Sequence, residues 1–135
     1  MTRINSGIHP KELIDQHLVA EYREIGRIGT LLENKIKKSF PLNIPDKFCL
    51  GTGHMSFFLN KGKFIENRFE QIKIEMAKRG YSTNLNFRNS WLKCNRLDLY
   101  NDYSPTEEAV NQLKERIKIR TPKNARYYGR HTKYV

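Results

Sequence analysis

The chain has 135 residues, with 25 Lys and Arg against 14 Asp and Glu and a net charge of +11. That length supplies one modest core and excludes multidomain machinery. So large a positive excess is more than solubility needs; it points to a polyanion, with DNA or RNA ahead of an anionic membrane surface.

Residues 2–9 read as an extended arm. Pro10 can open a helix because its missing N–H costs nothing at the first position. A helical pattern then runs to about Lys38, with Ile14, Leu18, Ile25, Leu32 and Ile36 on one stripe. Gly26 and Gly29 interrupt it and allow a kink. Pro41 and Pro45 mark a connector. The segment Phe48 to Leu59 is apolar and contains Gly51-Thr52-Gly53, read as a tight turn because it lacks the further glycine or Lys-Ser/Thr of a nucleotide loop. A second helix is expected from about Lys63 to Arg79, with Phe64, Ile65, Phe69, Ile72 and Met76 inward and Gly80 as its stop. Residues 81–103 have no clear period and read as loop with short turns. Ser104 as N-cap, Pro105 as first residue and Glu107 as the capping-box acid predict a third helix. Its core face is Val110, Leu113 and Ile117, and Thr121-Pro122 ends it. The tail from 120 is basic and carries Tyr127, Tyr128 and Tyr134. The expected architecture is all-α: one domain over 1–135, three main helices with long loops, and a basic tail.

Cys49 and Cys94 are far apart without a CxxC spacing and read as free thiols in a reducing compartment. No apolar run is long enough to span a bilayer, and the N-terminus lacks the apolar stretch of a signal peptide. The expectation is a cytoplasmic monomer. His9, His17, His54 and His131 lack metal-ligand spacing, so neither a metal nor a cofactor is expected. Glu33-Asn34-Lys35 has the residue types of a metal nuclease site, but it lies in a helical pattern and reads as a solvated face.

On a wheel of about 100° per residue, Gln16, Arg23, Arg27, Ala20, Leu13, Glu24 and His17 fall in one sector of roughly 120°. Glu24 and His17 sit at its border with the apolar stripe. A border carboxylate is partly desolvated and close to the arginines. Wheel geometry alone favours a solvated polar face, since paired charges on helices usually face solvent, and does not establish a site.

A longer pattern weighs on the choice. Thr2-Arg3-Ile4-Asn5, Asp15-Gln16-His17-Leu18 and Ala20-Glu21-Tyr22-Arg23-Glu24 resemble the signature of the phage pyrimidine-dimer glycosylases, the phage endonuclease V family. The resemblance continues through Leu50-Gly51, Gly53-His54, Phe57-Phe58, Lys78-Arg79-Gly80, Asp102-Tyr103 and Tyr127-Tyr128-Gly129. It implies a repair enzyme that excises ultraviolet-induced pyrimidine dimers from duplex DNA and then nicks the strand as an abasic-site lyase. By resemblance, Thr2 supplies its α-amine once Met1 is removed, and Glu24 is the catalytic carboxylate. Arg3, Arg23 and Arg27 match backbone-contacting positions, and Gln16 and His17 match positions lining the site.

The chemistry fits those roles. An attacking amine must be neutral, and an α-amine has a pKa of about 7.7–8.0 against about 10.4 for lysine. Nearby arginines push it lower by disfavouring a further positive charge. Glu24 can stabilise a cationic sugar and help remove a 2′ proton.

The tail departs from the family pattern. The family places a tryptophan and a tyrosine just ahead of the basic-Tyr-Tyr-Gly segment; here those positions are Asn124 and Ala125. Arg126, Tyr127 and Tyr128 are assigned to DNA contact, and a lower dimer-to-abasic preference is expected. Tyr127, Tyr128 or Trp91 can compensate for the missing rings. Two alternatives stay open: an abasic lyase or glycosylase for another lesion, and a non-catalytic DNA-binding protein of the same fold.

Overall fold

The computed structural model describes residues 4–131. It is mostly helical, as the all-α expectation requires. The elements are α1 (Asp15–Glu24), α2 (Arg27–Lys37), α3 (His54–Phe57), α4 (Gly62–Lys78), α5 (Ser90–Lys93), α6 (Glu107–Arg120) and a hairpin of β1 (Arg126–Tyr127) and β2 (Arg130–His131). Short 3-10 turns stand at Pro10–Glu12 and Leu97–Leu99.

The first expected helix is three pieces. Pro10 opens only a 3-10 turn, Leu13 and Ile14 are extended, and α1 starts at Asp15. At Ile25-Gly26 the backbone stays right-handed but the regular ladder lapses, with Ile28 N–H reaching back to the Ile25 carbonyl at 3.4 Å. Gly26 is where the helix gives way, as a residue about 1 kcal/mol poorer than Ala in a helix would. Ile14, Leu18, Ile25 and Leu32 of the expected stripe are buried across the break, joined by Ile28, while Ile36 is only partly buried.

α4 is the central helix and packs against α1. Ile65, Phe69, Ile72 and Met76 face the core as their spacing predicts. It ends in a Schellman motif: Gly80 N–H donates to the Ala77 carbonyl and Tyr81 N–H to the Met76 carbonyl, with Gly80 at φ 82°. Its start is equally specific. A Cβ on Gly62 would lie 2.5 Å from a Trp91 ring carbon, so only glycine lets the helix approach that ring.

Trp91 lies on α5, inside the stretch expected to be loop. It is fully buried, and its indole N–H donates to the Leu59 carbonyl at 2.8 Å. It is therefore core and cannot replace the missing tail rings. Glu33 is likewise not a solvated face. It receives Ser90 Oγ at 2.5 Å, Lys93 Nζ at 2.7 Å and Arg88 at 3.3 Å, tying α2 to α5. The hydrogen bonds from Lys93 and Ser90 hold its carboxyl below the usual value.

The N-cap of α6 is Thr106, whose hydroxyl accepts from Ala109 N–H at 3.1 Å, not Ser104. Pro105 stands before the cap and packs against Gly7. Leu113 and Ile117 are buried as expected, Ala109 takes the buried place where Val110 is only partly covered, and Thr121 closes the helix with its hydroxyl on the Ile117 carbonyl at 2.7 Å.

The tail adds a β-element that periodicity gave no sign of. Tyr128 (φ 54°) and Gly129 (φ 76°) form a two-residue loop with both φ positive, the geometry of a type I′ hairpin turn. The hairpin is anchored on α1 and α4. Tyr128 N–H and Gly129 N–H donate to the two oxygens of Asp15 at 3.1 and 2.8 Å. Arg79, its side chain fully buried, pairs with Asp15 at 2.9 Å and Glu75 at 2.8 Å. Its guanidinium lies 4.7 Å from the ring centres of both Tyr127 and Tyr128.

Burial alone would raise the Asp15 and Glu75 carboxyls. The Gly129 and Arg79 hydrogen bonds to Asp15, and those of Tyr128 and Arg79 to Glu75, outweigh it and leave both below their ordinary values of 3.8 and 4.5. Depressed carboxyls stabilise the fold fully above those ordinary values, and the contribution is lost as pH falls through the lower folded values. The hairpin should therefore stay docked through pH 5 and release only in stronger acid. The Gly129 amide proton, followed by NMR, should titrate with a midpoint below 3.8; an ordinary aspartate midpoint would contradict the network.

Candidate active site

The chain entering α1 is a buried strap rather than an extended arm. Ile4, Asn5, Ser6 and Ile8 are all buried, and the strap turns at Gly7 (φ 82°), with Ile8 N–H on the Asn5 carbonyl at 3.2 Å. Three elements hold it. From α3, His54 Nε2 accepts Ile4 N–H at 2.8 Å. From α1, Glu21 Oε1 accepts Asn5 Nδ2–H at 2.8 Å and Asn5 N–H at 3.3 Å. From α4, Arg68 donates to the Ile8 carbonyl at 2.5 Å and, with two nitrogens, to Glu21 at 2.8 and 3.1 Å. The Glu21–Arg68 pair is almost wholly buried. Removing one partner would strand a charge and cost about 3–5 kcal/mol.

Beside the strap, between α1 and α6, lies a cavity of about 250 Å³ lined by Asn5, His17, Ala20, Glu21, Glu24, Arg116, Ile117 and Arg120. Two carboxylates border it, with different commitments. Glu21 is saturated by Asn5 and Arg68. Glu24 is 28% exposed, and its recorded ion pair is a loose 3.9 Å approach to the exposed Arg27. Glu24 is thus the wall carboxylate whose oxygens remain available to a ligand. Arg116 and Arg120 stand one turn apart on α6 and present cations to the same space; Arg116 Nε is buried without a hydrogen-bond partner among the described residues. His17 Nε2 lies 3.5 Å from the Arg120 carbonyl.

The expected site residues thus fall into two groups. His17 and Glu24 share the cavity, Arg27 adjoins Glu24, and Arg23 is exposed on α1. Gln16 belongs to the tail instead. Its side-chain amide donates to the Asn124 carbonyl at 2.7 Å and accepts Arg126 N–H at 3.0 Å, a two-point clamp on the backbone. Tyr127 and Tyr128 keep 38% and 43% of their surface exposed, while their hydroxyls donate to the Lys11 carbonyl and to Glu75. Ala125 is buried and Asn124 exposed, so only position 124 could present a ring outward without repacking. Thr2 and Arg3 lie outside the described residues.

Asn5, Asp15, His54 and Arg79 stand in the segments of resemblance but had no role legible there, and Arg116 and Arg120 were not singled out at all. A wheel of α6 could have found two of them, since Arg116 and Arg120 flank the core position Ile117. The others act through contacts with sequence-distant partners. Among the described residues, no group of three or more His, Cys, Asp or Glu converges as a metal set, and no helix is long and apolar enough to cross a membrane. The model of one protein family, described as pyrimidine dimer DNA glycosylase, matches residues 1–89. That stretch carries the strap, α1 and α2, and leaves α6 and the hairpin outside it.

Proposed function

This chain belongs to the pyrimidine dimer DNA glycosylases, and from that premise we propose that it excises pyrimidine dimers from duplex DNA through the α-amine of Thr2 and then nicks the strand. The observation that carries the reading is the strap. Two residues separate Ile4 from the terminus expected after Met1 is removed, a reach of roughly 7 Å. Ile4 and Asn5 are fixed, and Asn5 borders the cavity that holds Glu24.

The neutral amine attacks C1′ of the damaged nucleotide. The glycosidic bond breaks, and its electron pair leaves with the base, which takes up a proton. Opening of the C1′–O4′ bond, with its electron pair going to O4′, which takes up a proton, gives a protonated imine. Removal of a 2′ proton then expels the 3′ phosphate, and water releases the imine. Glu24 stabilises the cationic sugar and handles the 2′ proton. Arg3, Arg23 and Arg27 grip the backbone, joined by Arg116 and Arg120 at the cavity. Gln16 clamps the tail backbone, and the hairpin it holds offers the exposed parts of Tyr127 and Tyr128 to the duplex.

The test is incubation with ultraviolet-irradiated or undamaged duplex, with EDTA, with and without borohydride. A covalent protein–DNA adduct is expected on irradiated DNA alone. A nick without an adduct, restored by magnesium after EDTA, would point to a metal nuclease. A fast adduct on an abasic duplex with none on dimers would favour an abasic lyase.

Backbone contacts also set the salt response. Each neutralised phosphate contributes about −0.9 to the log–log slope. Arg23→Ala, Arg27→Ala and Arg120→Ala should each flatten the slope by about that amount and weaken binding to any sequence. A slope unaltered by all three would remove them from the interface.

A further inference from the structure

His54 is the described residue that fixes the chain nearest the terminus, and its chemistry is unusually determined. It opens α3 and is buried, edge-on to the rings of Phe48 and Phe58 with centres 5.5 and 5.4 Å away. Its Nδ1 lies 2.9 Å from the Cys49 carbonyl and its Nε2 lies 2.8 Å from Ile4 N. A carbonyl only accepts and an amide N–H only donates. Nδ1 therefore carries the proton and Nε2 offers its lone pair, so both backbone groups are satisfied by one neutral tautomer. The Gly51-Thr52-Gly53 turn brings the Cys49 carbonyl within reach, with positive φ at both glycines. The result is a relay of fixed atoms, from the Cys49 carbonyl through the imidazole to Ile4 N–H. His54 is not among the residues that line the cavity, so it is a positioning residue and not a catalytic one.

We propose that His54 sets the pose of the attacking amine by holding Ile4 N–H, so that imine formation depends on its Nε2 lone pair while lesion binding does not. The proposal rests on the Thr2 amine being the nucleophile. A displacement of about 1 Å at a reacting group costs about 10²-fold in rate, and Ile4 is where such a displacement would enter. Two amides of different length, each reaching one ring-nitrogen position, separate the ring's two bonds. In His54→Gln the side-chain oxygen can occupy the place of Nε2 and accept Ile4 N–H. In His54→Asn the amide can occupy the place of Nδ1 and serve Cys49, leaving Ile4 N–H without its acceptor.

The experiment is single-turnover borohydride trapping on dimer duplex, with the dissociation constant for the same duplex and hydrogen exchange of the Ile4 amide. His54→Asn should trap about 10²-fold more slowly, bind the duplex as the native protein does, and lose Ile4 protection. His54→Gln should keep Ile4 protection and trap within several-fold of the native rate. Equal losses in both variants, or native trapping by a folded His54→Asn, would overturn the proposal. If His54→Asn does not fold, His54→Gln decides: slow trapping with Ile4 still protected would overturn it, and near-native trapping would support it. Failure of the native protein to trap would instead refute the Thr2 reading, and Ile4 exchange would still report whether His54 holds the strap.

Discussion

Glu24→Gln is expected to lower dimer glycosylase activity by about 10²–10⁴-fold, the range for loss of a positioned acid–base or electrostatic group, while the protein stays folded and still binds the lesion. The substitution preserves size and removes one charge. Glu24 is partly exposed and makes only a 3.9 Å approach to Arg27, so the fold should change by no more than about 0.5 kcal/mol. Glu21 cannot substitute for it, because both its oxygens are engaged by Asn5 and Arg68 in a buried cluster. Binding should hold or tighten, since the carboxylate shares the cavity with Arg116 and Arg120 and opposes an incoming phosphate. Single-turnover cleavage of the glycosidic bond on a defined dimer duplex, with the dissociation constant measured alongside, separates the two effects. Glycosidic cleavage at the native rate would end the assignment of Glu24.

Inserting a glycine after Met1 should have an effect at least as large. The new terminal amine would be one residue, about 3.8 Å, further along the chain. An unanchored arm could absorb that length. This one is pinned at Ile4, Asn5 and Ile8 by three separate elements, so the added residue cannot be taken up by a shift of the strap and moves the amine relative to the cavity. Trapping should fall by more than about 10²-fold, by the same sensitivity to misplacement. Binding should change little, because the cavity and the arginines of α1 and α6 are untouched. Native trapping rates in the insertion variant would show that the amine's position is not what the strap controls.

Much of this was legible before the structure. The spacing of Ile65, Phe69, Ile72 and Met76 located α4 to within about a residue, since a buried stripe leaves a period of 3.6. Glu24 at the border of the polar and apolar faces of α1 was placed by the same periodicity, and the family by the run from Thr2 through Glu24. What escaped was set by distant partners. Asp15 reads as a polar position inside the first expected helix, quoted only within the family signature; only the fold brings Arg79 and the Gly129 amide to it. Ser104 and Thr106 both satisfy local capping rules, and Thr106 carries the cap while Pro105 packs against Gly7. Trp91 stands in a segment without period, and its burial comes from a glycine 29 residues earlier that leaves room for the ring. The hairpin was hidden because Tyr128 takes a positive φ that an aromatic residue seldom adopts.

In the proposed mechanism the terminal amine of Thr2 forms the bond to the damaged sugar. The most direct test is to trap the complex on a dimer duplex with borohydride, digest it, and locate the sugar remnant by mass spectrometry. The remnant is expected on the α-nitrogen of Thr2, in a peptide lacking Met1, and should disappear when the terminus is acetylated beforehand. A remnant on a lysine side chain, or an undiminished yield from the acetylated protein, would contradict it.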